Sequence, residues 1–210
     1  MTIKECVALN PRNIVWLKIS GISGIIAPVV AFTLILFAIA YSPEFSWTEN
    51  ALSDLGVQRG ATAILFNYGL IVGGILALTF ASGLFILLGD KFSGRIGVLF
   101  FALDALALIA IGFFPENIKP MHYLASVVFF AFFPISMFVI SATFLLMDKL
   151  KISLFTFLAA IVAAVVWILQ FTTHFVHGAA IPETISALSA STWSTVLGFK
   201  MLRQASHPNK

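Results

Sequence analysis

The sequence predicts an all-α integral membrane bundle of six transmembrane helices with both termini cytoplasmic. Three observations lead there. Hydrophobic residues make up 60% of the 210 positions and charged residues 10%, with 22 Phe. A soluble domain is nearer 45–50% apolar and about 25% charged. A single core of this size cannot hide that much apolar surface from water. A soluble globular enzyme, a disordered chain and a nucleic-acid-binding module are therefore excluded. The second observation is that the charges leave long gaps. No Asp, Glu, Lys or Arg lies between Lys18 and Glu44, Arg59 and Asp90, Lys119 and Asp148, or Lys151 and Glu183. Roughly 20 apolar residues cross a bilayer as helix. The third is charge asymmetry. With both termini inside, the inner segments hold Lys4, Arg12, Lys18, Lys91, Arg95, Lys149, Lys151, Lys200, Arg203 and Lys210, and the outer ones only Arg59 and Lys119. This is the positive-inside pattern. The pI near 9.2 is thus a topology signal that favours anionic lipid inside; it is not a nucleic-acid footprint.

Taken in order, the first span covers about 20–41, after a polar cytoplasmic segment of residues 1–18. It lacks a small-residue cleavage site behind a short apolar core and reads as a retained helix. Cys6, the one cysteine, reads as a free cytoplasmic thiol, and no internal disulfide is possible. The second span, about 62–88, carries Gly69 and Gly73 as a GxxxG pair suited to close helix packing inside the chain. The third, about 96–115, holds one acid, Asp104. The fourth and fifth cover about 121–147 and 152–174. The sixth, about 183–202, is Ser/Thr-rich and less apolar, and residues 203–210 form a cytoplasmic tail. The transmembrane domain thus covers 19–202. Pro28 and Pro134 fall within spans one and four, where each removes a backbone donor.

The inner connections are short, and the outer ones are longer and richer in polar residues. The first, Ser42–Ala61, carries Glu44, Trp47, Glu49, Asn50, Ser53 and Asp54. Tyr41 and Trp47 suit the membrane interface. Asn50–Gly56 has the pattern of a short amphipathic helix ended by Gly56. The second outer segment brings Glu116 and His122. The third brings His174 and His177, then Glu183. His207 lies in the tail. On a continuous helix His174 and His177 share a face. With His122 at similar depth, three imidazoles could bind zinc and leave a position for an activated water. Asp54, Glu116 or Glu183 would then be the candidate catalytic general base or supporting carboxylate. The more ordinary reading of the same histidines is interfacial hydrogen bonding, and the more remote one is a pair holding a haem between helices.

Two polar groups lie deeper. Asn67 sits about two turns inside the second span and needs partners there. Asp104 lies roughly 16 Å inward of Pro115 at helical rise, near the midplane. An acid at that depth is a functional candidate. It reads either as a neutral carboxyl bonded to a neighbouring Ser or Thr, or as the centre of a small ion- or proton-coupled transporter. The expected site is an outer-leaflet polar cavity over Asn67, binding a lipid or small amphiphile through Glu49, Ser53, Asp54, Asn67, His122 and Glu183.

Ser53-Asp54-Leu55-Gly56, then Phe66-Asn67-Tyr68-Gly69, then Gly112-Phe113-Phe114-Pro115 with His122, and last Glu183 after Gly178 and Pro182 follow one another along the chain. In this order they resemble the domain-of-unknown-function family numbered 998, multi-pass membrane proteins of archaea and bacteria. The resemblance covers roughly residues 20–202. It implies a six-helix bundle in the cell membrane and supplies no activity. It marks Ser53, Asp54, Asn67, Pro115, His122 and Glu183 as matching positions. A looser resemblance is to the alkaline ceramidase and adiponectin-receptor superfamily, which implies a zinc-dependent intramembrane lipid hydrolase using Ser53, Asp54, His122, His174 and His177. The chain departs from that pattern in its six spans and its three-residue His spacing.

Overall fold

The computed structural model describes residues 10–207. Lys4, Glu5, Cys6 and Lys210 lie outside the described residues. Six long helices follow one another: α1 (Pro11–Ala40), α2 (Ala61–Leu88), α3 (Phe92–Phe113), α4 (Met121–Leu145), α5 (Leu150–Thr173) and α6 (Ala180–Ser206). One short 3₁₀ helix, Leu52–Val57, lies between α1 and α2. There is no strand among the described residues. The first five long helices are apolar enough over sufficient length to cross a membrane.

The helix ends differ from the expected spans for local reasons. α1 begins at Pro11, well before residue 20, because Asn10 caps it, its side chain accepting from Arg12 N at 3.1 Å. Pro at the first helical position is preorganised for that start. α6 begins at Ala180 and runs to Ser206. The expected helix near Asn50–Gly56 is instead a 3₁₀ turn that carries on through Gly56 to Val57.

Each helix packs on its neighbours in sequence, and α6 packs on both α5 and α1, closing a ring. All three long connections gather at one end, and the short connections 89–91 and 146–149 at the other. Gly69 and Gly73 serve the contact between α2 and α1. A Cβ on Gly69 would sit 3.0 Å from Leu34 Cβ, and one on Gly73 3.2 Å from Ala31 Cβ. Small residues here let the backbones approach, as helix association in lipid requires.

Hydroxyls join the helices in pairs. Ser136 Oγ donates to Gly97 O at 2.8 Å, tying α4 to α3. Ser141 and Ser153 donate to each other's carbonyls at 2.9 and 2.8 Å, tying α4 to α5. Trp193 Nε1 on α6 donates to Thr156 Oγ1 on α5 at 3.0 Å. Ser189 Oγ on α6 also donates to Ala159 O at 2.9 Å, while Thr192, Ser194 and Ser206 donate to carbonyls of their own helix. Apolar side chains form two clusters. One, around Phe80, Phe101, Met137 and Trp193, occupies the middle and the short-loop end. The other, around Leu55, Phe66, Ile111 and Ala180, lies under the long loops.

Candidate functional site

The long-loop end is a built cap. Ser46 N donates to Asn50 Oδ1 at 2.8 Å, and Asn50 Nδ2 donates to Asp54 Oδ2 at 3.0 Å. Asp54 Oδ2 also accepts from Ala51 N at 3.0 Å, which closes the first turn of the 3₁₀ helix. Asn67 on α2 holds the far end of that turn, its Nδ2 donating to Gly56 O at 3.0 Å. The third connection docks by backbone. Gly178 N donates to Thr48 O at 2.7 Å, and Ala179 N and Ala180 N both donate to Asn50 O, at 3.0 and 2.9 Å. Gln170 Nε2 folds the same segment over by donating to Val176 O and Gly178 O at 2.9 and 3.1 Å.

These bonds bring three carboxyls together. Glu183 Oε2 accepts from Leu52 N at 2.6 Å. Glu116 Oε2 accepts from Ser53 Oγ at 3.4 Å. The Asp54 and Glu116 carboxyls lie within hydrogen-bonding reach of each other, and Glu183 stands close enough to feel both charges. Burial raises Glu116 above the ordinary glutamate value, and the hydrogen bond and charge of Asp54 raise it further; His122 and Ser53 oppose the rise. His122 is buried, its Nδ1 2.8 Å from Phe114 O. A carbonyl only accepts, so Nδ1 carries the hydrogen and Nε2 is the free nitrogen of the neutral ring.

Beneath the cap lies a cavity of about 140 Å³. Leu52, Ser53 and Glu183 line it from the cap, and Asp104 and Ser194 line it from the helices. Most of its wall is apolar, supplied by α1, α2, α3, α4 and α6. Asp104 is 5% exposed, and its Oδ1 has no hydrogen-bond partner. The Ser or Thr partner expected for this carboxyl is not provided. Asn67 Oδ1 is also buried without a partner.

Of the residues read as ligand-binding, Ser53 and Glu183 line the cavity, while Asp54 and Asn67 build the cap around it. His122 is near enough to Glu116 to act on it electrostatically, but its hydrogen bond goes to Phe114 O. Glu49 faces away, its exposed carboxylate 3.4 Å from His177 Nδ1. The candidate bases Asp54, Glu116 and Glu183 do gather. The three imidazoles do not. α5 ends at Thr173, and His174 takes a left-handed conformation with φ 47°, so His174 and His177 share no helix face. Both are exposed while His122 is buried. Among the described residues, no group of three or more His, Cys, Asp or Glu is placed to hold a metal ion. The zinc set His122, His174 and His177 therefore has no geometric basis, because the helix it presumed stops one residue short.

Sequence reasoning passed over Gln170 and the docking role of Gly178. An amide in the last turn of an apolar helix, followed by Gly four residues after His174, was the available signal. Ser126, Ser191 and Ser194, which also line the cavity, gave none, since hydroxyls in membrane helices commonly bond their own backbone.

Long apolar helices, a polar loop cap and a half-open cavity among the helices define a multi-pass helical membrane protein. More particularly, the chain belongs to the family described as Protein of unknown function (DUF998), which matches residues 25–200. No curated protein and no solved structure matches it.

Proposed function

We propose that this is a six-span protein of the cell membrane, with both termini cytoplasmic, that binds a lipid or small amphiphile inside its bundle. The observation that carries the reading is the cavity itself, whose apolar wall leads from Ser53 and Glu183 under the cap to Asp104 in α3. Such a shape suits a ligand with one polar end and an apolar body. The polar end meets one of the few polar groups of the lining, Ser53 and Glu183 under the cap or Asp104 at depth, and the apolar body lies along the apolar wall. The orientation rests on the bases. Lys91, Arg95, Lys149, Lys151, Lys200 and Arg203 all fall at the short-loop end, and Arg59 and Lys119 at the other.

Two experiments test this. A photoactivatable fatty alcohol is added to membranes carrying the protein, and labelled peptides are mapped. Labelling of Ser53, Ala187 or Ser191, lost in Ala187→Phe, supports an internal site. Labelling confined to lipid-facing residues such as Leu158 and Ile168, unchanged in Ala187→Phe, argues against it. Orientation is read from single cysteines at Ser46 and Ser206 in a Cys6→Ser background. Only the first should react with an impermeant thiol reagent in intact cells.

A further inference from the structure

The wall of this cavity has a sign. Six phenylalanines line it: Phe32 from α1, Phe66 and Phe80 from α2, Phe101 from α3, and Phe129 and Phe130 from α4. Two carboxyls line it, Glu183 at the cap and Asp104 at depth, and no Lys, Arg or His among the described residues does. The remaining polar lining is hydroxyl, from Ser53, Ser126, Ser191 and Ser194. Serine hydroxyls do not balance a charge. At least one is already engaged, Ser194 Oγ donating to Ser191 O at 3.1 Å.

Asp104 turns this composition into a site. It is buried, and its Oδ1 lacks any partner, although buried polar groups are almost always satisfied. A group left bare in so apolar a setting is costly. Phe101 stands one turn earlier on the same face of α3. An acid among aromatic faces is what a hydrophobic cation recognises. The carboxylate supplies the counter-charge, the ring faces attract the positive centre, and the apolar wall takes the substituents. An anionic amphiphile finds no base here and meets two acids.

We infer that the cavity selects a cationic amphiphile, a hydrophobic amine or onium ion whose positive centre sits against Asp104. This deepens the amphiphile-binding reading and rests on it. Asp104 provides the charge contact. Phe101 and Phe129 provide ring faces.

The test uses the full chain in nanodiscs, with empty nanodiscs subtracted. Equilibrium dialysis measures radiolabelled tetraphenylphosphonium, dodecanol and dodecanoate separately. The expected result is saturable binding of the phosphonium and none of dodecanoate. Asp104→Asn should weaken phosphonium binding at least tenfold while dodecanol binding changes less than twofold, which also reports that the variant is folded. Phe129→Leu, which keeps the apolar bulk and removes a ring, should weaken the phosphonium severalfold and spare dodecanol. Undiminished phosphonium affinity in Asp104→Asn overturns the inference, as does saturable dodecanoate binding. Saturable dodecanol binding without phosphonium binding overturns the cation inference and leaves the amphiphile reading standing. Absence of saturable binding by all three overturns both.

Discussion

Replacing Gly178 with alanine should undock the long-loop cap. The backbone of Gly178 lies outside the left-handed region, so alanine carries no conformational strain there; the effect is steric. Its Cβ would press on the Asn50 carbonyl oxygen and stand 2.6 Å from both Asn50 N and Glu49 C. These are backbone atoms and cannot rotate aside. The two segments must separate, and the bonds from Gly178 N, Ala179 N and Ala180 N to Thr48 O and Asn50 O are lost. At about 1 kcal/mol net each, that is about 3 kcal/mol. The Leu52–Glu183 bond, if drawn apart as well, adds about 1–2 kcal/mol. A local opening made easier by about 3 kcal/mol speeds amide exchange roughly a hundredfold. Hydrogen–deuterium exchange read by mass spectrometry should show this for peptides covering 46–57 and 175–184. Peptides from α3 and α4 near Gly97 and Ser136 should keep wild-type rates. Exchange at 46–57 within threefold of wild type would refute the reasoning, since the docking would then tolerate a methyl group where the structure leaves no room.

Other expectations follow from single features. Gly60 has φ 75° and ψ −140° with open space around its Cβ, so Gly60→Ala should destabilise through backbone strain alone, by about 1–3 kcal/mol, in reversible detergent unfolding. Glu116, raised by burial and by Asp54, should hold its proton above the ordinary glutamate value. Its contribution to cap stability is full below that value and is lost as pH rises through the raised one. The infrared band of its protonated carboxyl, identified by its absence in Glu116→Gln, should retreat to lower pH in Asp54→Asn. At the opposite end, burial lowers Lys149 and the neighbouring Lys200 lowers it further. Lys149 should react with an amine reagent at lower pH than a free lysine, and Lys200→Ala should move its labelling midpoint upward. An unmoved midpoint would place the whole shift on burial.

Much of the fold was legible because lipid imposes simple rules. Charge-free runs longer than a bilayer crossing mark four of the six long helices; the third is legible despite Asp104, and the sixth as a shorter, Ser/Thr-rich and less apolar stretch. Helix ends were harder to read. They depend on caps such as Asn10, which operate at single residues. The site was half legible. Ser53, Asp54, Asn67 and Glu183 were marked by polarity in a chain with little polarity to spare, and they meet at the cap. Glu49 looked the same in sequence yet points outward to His177. The histidine set failed on one backbone conformation. Period-based reasoning assumes an unbroken helix, and His174 breaks it.

The sequence by itself determined that the chain lives in lipid, how many long helices it forms, which ends carry its bases, and that an acid stands deep in the third helix. These follow from composition and from spacing along the chain, and each is a local property. Only the tertiary structure decided that Asp54, Glu116 and Glu183 share one cap, that Asp104 has no partner for Oδ1, and that six phenylalanines from four helices face the same space. Such facts depend on how each helix is rotated about its axis in the ring. In a helix that is apolar all round, hydrophobicity does not mark that rotation. It is decided by where small residues such as Gly69 and Gly73 allow close approach, and by hydroxyl and backbone bonds between distant segments.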